Sequence, residues 1–122
     1  MNNMKPILLL DFDGVLHQYV SGWHGADKIN DGPVPGAKEF VLEATEFFEV
    51  MIYSSRSLHP GGVAAMKEWL EKNGFPVGFL SFPTEKPPAF LTIDDRCICF
   101  EGVFPAPEEL RKFLPWNKRA KA

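Results

Sequence analysis

Apolar and polar positions follow two periods along the chain, and these predict strands and helices in turn. Residues Ile7 to Phe12 form a nearly continuous apolar run, as expected for a central strand covered on both faces. After Pro35, which suits a first helical turn, apolar residues recur at three- and four-residue spacing and predict an amphipathic helix through Phe48. Residues 14–34, between these elements, show no sustained period and predict a short irregular flap.

The remaining pattern predicts further strands, a second long helix and a closing helix. The segment "EVMIYS" predicts a second strand that ends at Ser54, and "GGVAAMKEWLEKNGF" predicts the next helix. The segments "GFLSF" and "AFLTI" predict a third and a fourth strand, "CICF" a fifth, and Pro107 to Leu114 a closing helix. Strands that alternate with helices predict one α/β domain over the whole chain, residues 1–122, with a mostly parallel sheet and helices on both faces.

Composition and charge narrow the class of protein. The chain has 122 residues, of which 45% are hydrophobic and 24% charged, and these values suit a single globular domain. A formal net charge of −3 offers no basic field for nucleic acid, and the basic C-terminal cluster (Lys112, Lys118, Arg119 and Lys121) is typical of a solvated tail. No apolar stretch approaches the roughly 20 residues of a membrane span, and the first residues do not resemble a signal peptide.

The two cysteines indicate the compartment. Cys97 and Cys99 are too close in sequence for an easy disulfide, and two thiols are too few for a zinc site. We interpret them as small core residues in a reducing environment, which predicts a cytoplasmic protein.

Acidic and hydroxyl residues stand where the predicted strands end. Asp11 and Asp13 follow the first strand, Ser54 closes the second, and Asp94 and Asp95 follow the fourth. Because ligands bind beyond the carboxyl ends of parallel strands, we expect these side chains to converge at one rim of the sheet. Paired carboxylates repel each other and need something to hold them, and a metal ion is the first candidate.

Each of these positions also has a purely structural interpretation. The acid pair at the first strand can be a solvated turn, Ser54 can cap a helix, and Lys86 can be an exposed loop lysine. Asp94 and Asp95 can cap a turn or pair with Arg96. The functional interpretation depends on the coincidence of all these residues at successive strand ends.

With these motifs in this order, the chain resembles the haloacid dehalogenase (HAD) superfamily of phosphotransferases. The segment "DFDGVLH" matches the first motif, "MIYSSR" the second, Lys86 the third and "LTIDDR" the fourth, across residues 7–96. The resemblance implies a three-layer, Rossmann-like fold with strand order 3-2-1-4-5. Residues 14–34 are too few for an inserted cap domain, so it also implies a capless, open site that accepts bulky substrates.

The resemblance assigns a role to each motif residue. Asp11 would be the nucleophile that becomes an aspartyl-phosphate, and Asp13 the acid and base. Ser54 would hydrogen-bond a phosphoryl oxygen, and Lys86 would neutralise the charge there. Asp95 is the favoured direct ligand of Mg²⁺. The full set of implied metal ligands is Asp11, Asp13 (in the family, through its backbone carbonyl), Asp94 and Asp95.

Two groups near these motifs remain open in role. Arg56 can reach a substrate phosphate or form a surface salt bridge. The flap aromatics either line the entrance to the site or pack onto the domain, and they are His17, Tyr19, Trp23 and His24. The candidate substrate-binding residues are therefore Ser54, Ser55, Arg56, Lys86 and His17.

We therefore expect a magnesium-dependent phosphatase or phosphotransferase that acts on a phosphorylated substrate, whose identity the sequence leaves open together with the oligomeric state. One alternative is a HAD-like domain kept only for binding. Another is a receiver domain, in which a lone phosphoacceptor Asp lies in the middle and the Lys comes last. Here Lys86 precedes the second acid pair and "MIYSSR" contains no Asp, which argues against a receiver.

Overall fold

A four-stranded parallel sheet forms the centre of the computed structural model, which describes residues 4–119. The strands are β1 (Ile7–Leu10), β2 (Glu49–Ile52), β3 (Leu80–Ser81) and β4 (Leu91–Ile93). Their order is β3-β2-β1-β4, with every neighbouring pair parallel. Leu10 lies opposite both Ile52 and Ile93, so β1, β2 and β4 end at the same level. The predicted parallel α/β sheet is confirmed for these four strands.

Two long helices connect the first three strands and pack on a single face of the sheet. They are α1 (Ala37–Phe47) and α2 (Gly62–Lys72). One buried cluster contains Leu8, Leu10, Val50 and Ile52 of the sheet together with Val41 of α1 and Met66, Trp69 and Leu70 of α2. Leu9, which alternates with these positions, is buried outside that cluster. Both crossovers run in the same direction across the sheet, and right-handed connections then place both helices on one face.

The predicted third layer is absent from the described residues. No helix joins β3 to β4, and α3 (Pro107–Leu110), all of whose residues are exposed, is the remaining α-helix among residues 4–119. The predicted helix to Leu114 is thus shortened to about one turn, because a short helix needs a packed face that this segment does not have. The prediction of helices on both faces is wrong for this part of the chain.

The predicted fifth strand is also wrong. Residues 97–100 have no regular structure and are exposed, and Cys97 and Cys99 are therefore not core residues. The chain turns at Asp94, whose side chain accepts the backbone N–H of Arg96 at 2.7 Å, and it leaves the sheet after β4. An apolar run forms a strand only if it meets an open edge, and this turn carries the run away from it.

The first helix has a narrower buried face than its spacing predicts. Ala37, Val41 and Ala44 are buried, whereas Phe40 and Phe47 are 44% and 61% exposed. Small side chains face the sheet because they allow the helix to approach it closely. The second helix ends at Lys72, as the Asn-Gly pair after it predicts.

The flap, residues 14–34, is irregular as predicted and is tied to the body of the domain. Trp69 donates its indole N–H to the Asp31 carbonyl at 3.0 Å, and His17 bridges to Pro33 through the backbone. Between residues 4 and 119, no helix is long and apolar enough to cross a membrane. Lys121 of the basic C-terminal cluster lies outside the described residues.

Candidate active site

Polar residues that follow β1, β2 and β4 meet at one end of the sheet. Asp11, Ser54, Ser55, Lys86 and Asp94 line a single pocket of about 300 Å³. The Asp11 backbone N–H donates to the Ile93 carbonyl at 3.0 Å, which extends the pairing of β1 with β4 past the strand ends. The structure thus brings together five of the predicted site residues.

Three carboxyl groups form a cluster beside this pocket. Asp11, Asp94 and Asp95 each offer an oxygen within 4.8 Å of the other two. The backbone N–H of Phe12 donates to Oδ1 of Asp11 at 2.8 Å and helps to fix its orientation. Gly14, at φ +82°, lies so close to Asp95 that a Cβ there would overlap its carboxyl group. A larger residue at this position would have to displace the Asp95 carboxyl, and the positive φ also favours glycine.

The electrostatics of the cluster favour a bound cation. Burial is the main cause that raises the pKa of Asp11 to about 8, and it outweighs the hydrogen bond from the Phe12 backbone N–H, which lowers the pKa. The neighbouring carboxyls of Asp94 and Asp95 raise the pKa of Asp11 further. A divalent cation would offset both effects, and oxygen-only ligands of this kind fit Mg²⁺.

Ser54 acts as a helix cap and also faces the pocket. Its Oγ accepts the Arg56 backbone N–H at 2.9 Å, and its own N–H donates to Ser57 Oγ at 3.1 Å, at the start of a short 3-10 helix. The Ser54 hydroxyl donates its own proton toward the Met66 sulfur, with 3.8 Å between Oγ and the sulfur atom. A thioether is a weak acceptor, so this proton is available to a stronger one such as a phosphoryl oxygen.

Four predicted site residues do not line the pocket, namely Asp13, His17, Arg56 and Asp95. Asp95 belongs to the acidic cluster beside it. His17 is 1% exposed and Arg56 is 0% exposed. Arg56 Nε donates to Asp13 Oδ2 at 2.9 Å and to Oδ1 at 3.1 Å, while His17 Nδ1 lies 2.8 Å from Oδ1. Neither side chain therefore faces the pocket, and Arg56 forms a buried ion pair with Asp13 instead of a surface one. Contact of His17 and Arg56 with substrate stays a prediction that this placement does not support.

The carboxyl of Asp13 also stands apart from the acidic cluster of Asp11, Asp94 and Asp95. Its contacts are with Arg56 and His17. The structure therefore gives this side chain no part in the candidate metal site, which leaves the backbone carbonyl as the group through which Asp13 could contact a metal.

The flap aromatics do not line the pocket, and His17, Tyr19 and Trp23 pack against neighbouring side chains. The His17 ring stacks on Phe12 with 5.6 Å between centroids, and Tyr19 meets the edge of His17 at 6.0 Å. The Arg56 guanidinium lies over Trp23, with Cζ 4.9 Å from the centroid of the indole ring. His24 contacts the Ser21 carbonyl at 2.9 Å. Of the two interpretations left open by the sequence, packing is the one that the structure favours.

Several residues of the pocket were not identified from the sequence. They are Leu9, Tyr53, Thr92 and Arg96. Strand alternation could have found two of them, because Leu9 and Thr92 stand two residues before Asp11 and Asp94 and therefore share their faces. Leu9 and Thr92 are also direct partners across β1 and β4. Arg96 has no comparable pattern and is placed only by the turn at Asp94.

Fold and site together define a small parallel α/β domain with an acidic cluster and a polar pocket at the carboxyl end of its sheet. Comparison of the chain with protein-family models, curated proteins and solved structures found no match. A family and an activity are therefore proposals, and they rest on the motifs and on this geometry.

Proposed function

We propose that this protein is a magnesium-dependent phosphatase or phosphotransferase of the HAD type, which forms an aspartyl-phosphate on Asp11. The observation that carries the proposal is the cluster of three carboxyls, within 4.8 Å of one another, beside a pocket lined by Ser54 and Lys86. A cation would offset the causes that raise the pKa of Asp11 in this cluster, and the pocket next to it offers donors for a phosphate group.

Asp11, Asp94 and Asp95 would hold the Mg²⁺ ion. When bound, the ion supplies positive charge that offsets the repulsion between the Asp11 carboxylate and a phosphate dianion. The raised pKa of Asp11 supports this assignment, because the nucleophile needs a nearby cation to be ionised at neutral pH.

The chemistry then proceeds in two displacements at phosphorus. In the first, a carboxylate oxygen of Asp11 attacks phosphorus, the ester P–O bond breaks, and the leaving oxygen takes a proton from Asp13. In the second, water attacks phosphorus and gives a proton to Asp13, the bond between phosphorus and Asp11 breaks, and inorganic phosphate leaves. An alcohol in place of water gives phosphotransfer. Ser54 and Lys86 contact the phosphoryl oxygens throughout.

The substrate would be a phosphate monoester that the open pocket can admit. Residues 14–34 fold back on the domain, and among the described residues no separate cap covers the pocket. An open site of this kind accepts the phosphorylated end of a bulky molecule as well as a small ester.

The test is release of inorganic phosphate from a panel of sugar phosphates, nucleotides, phosphopeptides and 5′-phosphorylated oligonucleotides, with and without Mg²⁺. We expect Asp11→Asn to lower turnover at least about 10³-fold, because it removes the nucleophile. Glu46→Gln, an exposed position on α1, is the matched control. Absence of magnesium-dependent release across the panel would favour the binding-only domain. A stable phosphoprotein without turnover after incubation with acetyl phosphate would favour a receiver.

A further inference from the structure

We infer that Arg56 and His17 are positioning residues for Asp13, and that they leave Oδ2 of Asp13 as the oxygen that exchanges a proton with the substrate. The inference rests on the proposed function, because it concerns the acid–base step of that reaction. It gives a role to two buried polar side chains that the pocket itself does not use.

The two oxygens of Asp13 have different partners. Oδ1 accepts from His17 Nδ1 at 2.8 Å and from Arg56 Nε at 3.1 Å. Oδ2 accepts only the shared Arg56 Nε–H, at 2.9 Å, among the described residues. Because a carboxyl oxygen has two acceptor positions, Oδ1 is saturated and Oδ2 keeps one position free for a proton.

His17 is a fixed donor toward Asp13. The backbone N–H of Asp31 donates to His17 Nε2 at 3.1 Å, so Nε2 is the acceptor and Nδ1 carries the proton. The imidazole is held between Phe12 and Trp69, with ring centroids 5.6 and 5.5 Å away. The ring therefore cannot turn to offer its proton to another group.

Arg56 is equally constrained. Its side chain is fully buried, and Nη1 donates to three flap carbonyls: Gly25 at 3.0 Å, Ala26 at 2.9 Å and Lys28 at 3.1 Å. A guanidinium bound on two sides cannot follow a substrate. Buried ion pairs add little net stability, whereas the geometry of this one fixes both the flap and the Asp13 carboxyl.

The consequence is a dependence on the leaving group. An alkoxide needs a proton from Asp13 as the ester bond breaks, but 4-nitrophenolate leaves readily without one. If Arg56 and His17 orient the Asp13 carboxyl toward the leaving group, their loss should slow the cleavage of alkyl esters much more than that of 4-nitrophenyl phosphate. Loss of structure alone would slow both.

The experiment measures release of the leaving group in a single turnover, with enzyme and Mg²⁺ in excess over 4-nitrophenyl phosphate or ethyl phosphate. We expect Arg56→Lys and His17→Phe to lower the ethyl-to-nitrophenyl rate ratio at least about tenfold, as Asp13→Asn does. His17→Asn retains an N–H donor near the Nδ1 position and should restore the ratio toward that of the wild type. Glu46→Gln is again the control.

The outcomes separate this inference from the proposed function. Equal losses on both esters, or His17→Asn and His17→Phe behaving alike, would overturn the inference and leave the proposed function in place. Failure of the wild type to release phosphate from these two esters and from every member of the substrate panel would overturn both. If Arg56→Lys does not fold, the two His17 variants decide the matter. In the double variant Asp13→Asn/Arg56→Lys, a further fall in the ratio beyond that of Asp13→Asn would also contradict the inference.

Discussion

Among single residues, Asp11 couples the stability of the fold to the chemistry of the site. Its pKa is about 8 in the folded protein, against an ordinary value of 3.8, chiefly because the carboxyl is partly buried. Between these two values the folded protein binds a proton that the unfolded chain has released. The contribution of Asp11 to the free energy of unfolding therefore falls as pH rises from about 4 to about 8.

The first prediction concerns the metal-free protein. Asp11→Asn removes a carboxylate that is unfavourable when buried and ionised, so we expect the variant to be more stable than the wild type at about pH 9. A rise in Tm of about 5 °C or more is expected there, with a smaller difference at about pH 5. Thermal unfolding in chelator measures it, with Glu46→Gln as the control. A lower Tm for Asp11→Asn than for the wild type at about pH 9 would show that the Asp11 carboxylate does not destabilise the folded protein.

The second prediction concerns metal affinity. Mg²⁺ must displace the proton of Asp11, so its affinity should rise by up to about tenfold per pH unit between about pH 5 and 8. Isothermal titration calorimetry in buffers of different ionisation enthalpy measures the affinity and the proton released. Asp11→Asn should lose most of this pH dependence. Binding of equal strength at all pH values would exclude Asp11 as a ligand.

Residue-scale patterns predicted the acids of the site but not the burial of Arg56. The positions of Asp11, Ser54 and Asp94 follow from strand ends, which are visible as apolar runs in the sequence. Arg56 is buried because three flap carbonyls and Asp13 surround its guanidinium, and these partners come from distant parts of the chain. No local pattern contains that information, and a charged residue alone predicts exposure.

At the scale of elements, close packing between α2 and the short 3-10 helix at Ser55–Leu58 positions the second motif. Gly62, in the first turn of α2, is buried against the Arg56 carbonyl oxygen, and a Cβ at Gly62 would overlap that oxygen. The approach of two backbones at this point fixes where Ser54 and Arg56 lie relative to the sheet.

The third prediction tests this contact. Gly62→Ala should lower the free energy of unfolding by at least about 2 kcal/mol, because the backbone must move to admit the methyl group. Gly78→Ala is the matched control, since a Cβ there meets nothing within 4 Å and its φ is not positive. Chemical denaturation of both variants measures the difference. Equal stability of the two would show that α2 does not approach Arg56 as closely as described.

Helices and strands could be predicted where the spacing of apolar residues in the sequence matches the side chains that the fold buries. The apolar run of β1 and the spacing in α1 and α2 gave these elements within a few residues of their observed limits. The run at Cys97–Phe100 failed because strand formation there requires a free sheet edge within reach. The placement of both helices on one face depends on the order of strands, which no single element reveals.

At the scale of the whole molecule, the C-terminal segment returns to the loop that carries the first motif. Trp116 donates its indole N–H to the Gly14 carbonyl at 2.7 Å, and Asn117 donates its amide N–H to the Gln18 carbonyl at 3.0 Å. These contacts join residues about one hundred positions apart and hold the loop beneath Asp95.

The fourth prediction follows from this contact. A chain that ends after Leu114 loses both hydrogen bonds and should be less stable by about 1–3 kcal/mol. A chain that ends after Arg119 keeps both donors and is the control. Unfolding in urea at fixed pH compares the two. If both truncations unfold at the same urea concentration, the C-terminal segment does not support the first-motif loop.

The proposed mechanism depends above all on covalent phosphorylation of Asp11 during turnover. Borohydride added to the protein while it turns over a phosphate monoester with Mg²⁺ reduces an aspartyl-phosphate to homoserine, which peptide mass spectrometry locates. We expect homoserine in place of Asp11, dependent on both Mg²⁺ and substrate and absent from Ala, Asn or Glu variants at that position. Turnover that proceeds with Asp11 unmodified, or with homoserine at Asp13, Asp94 or Asp95 instead, would contradict it.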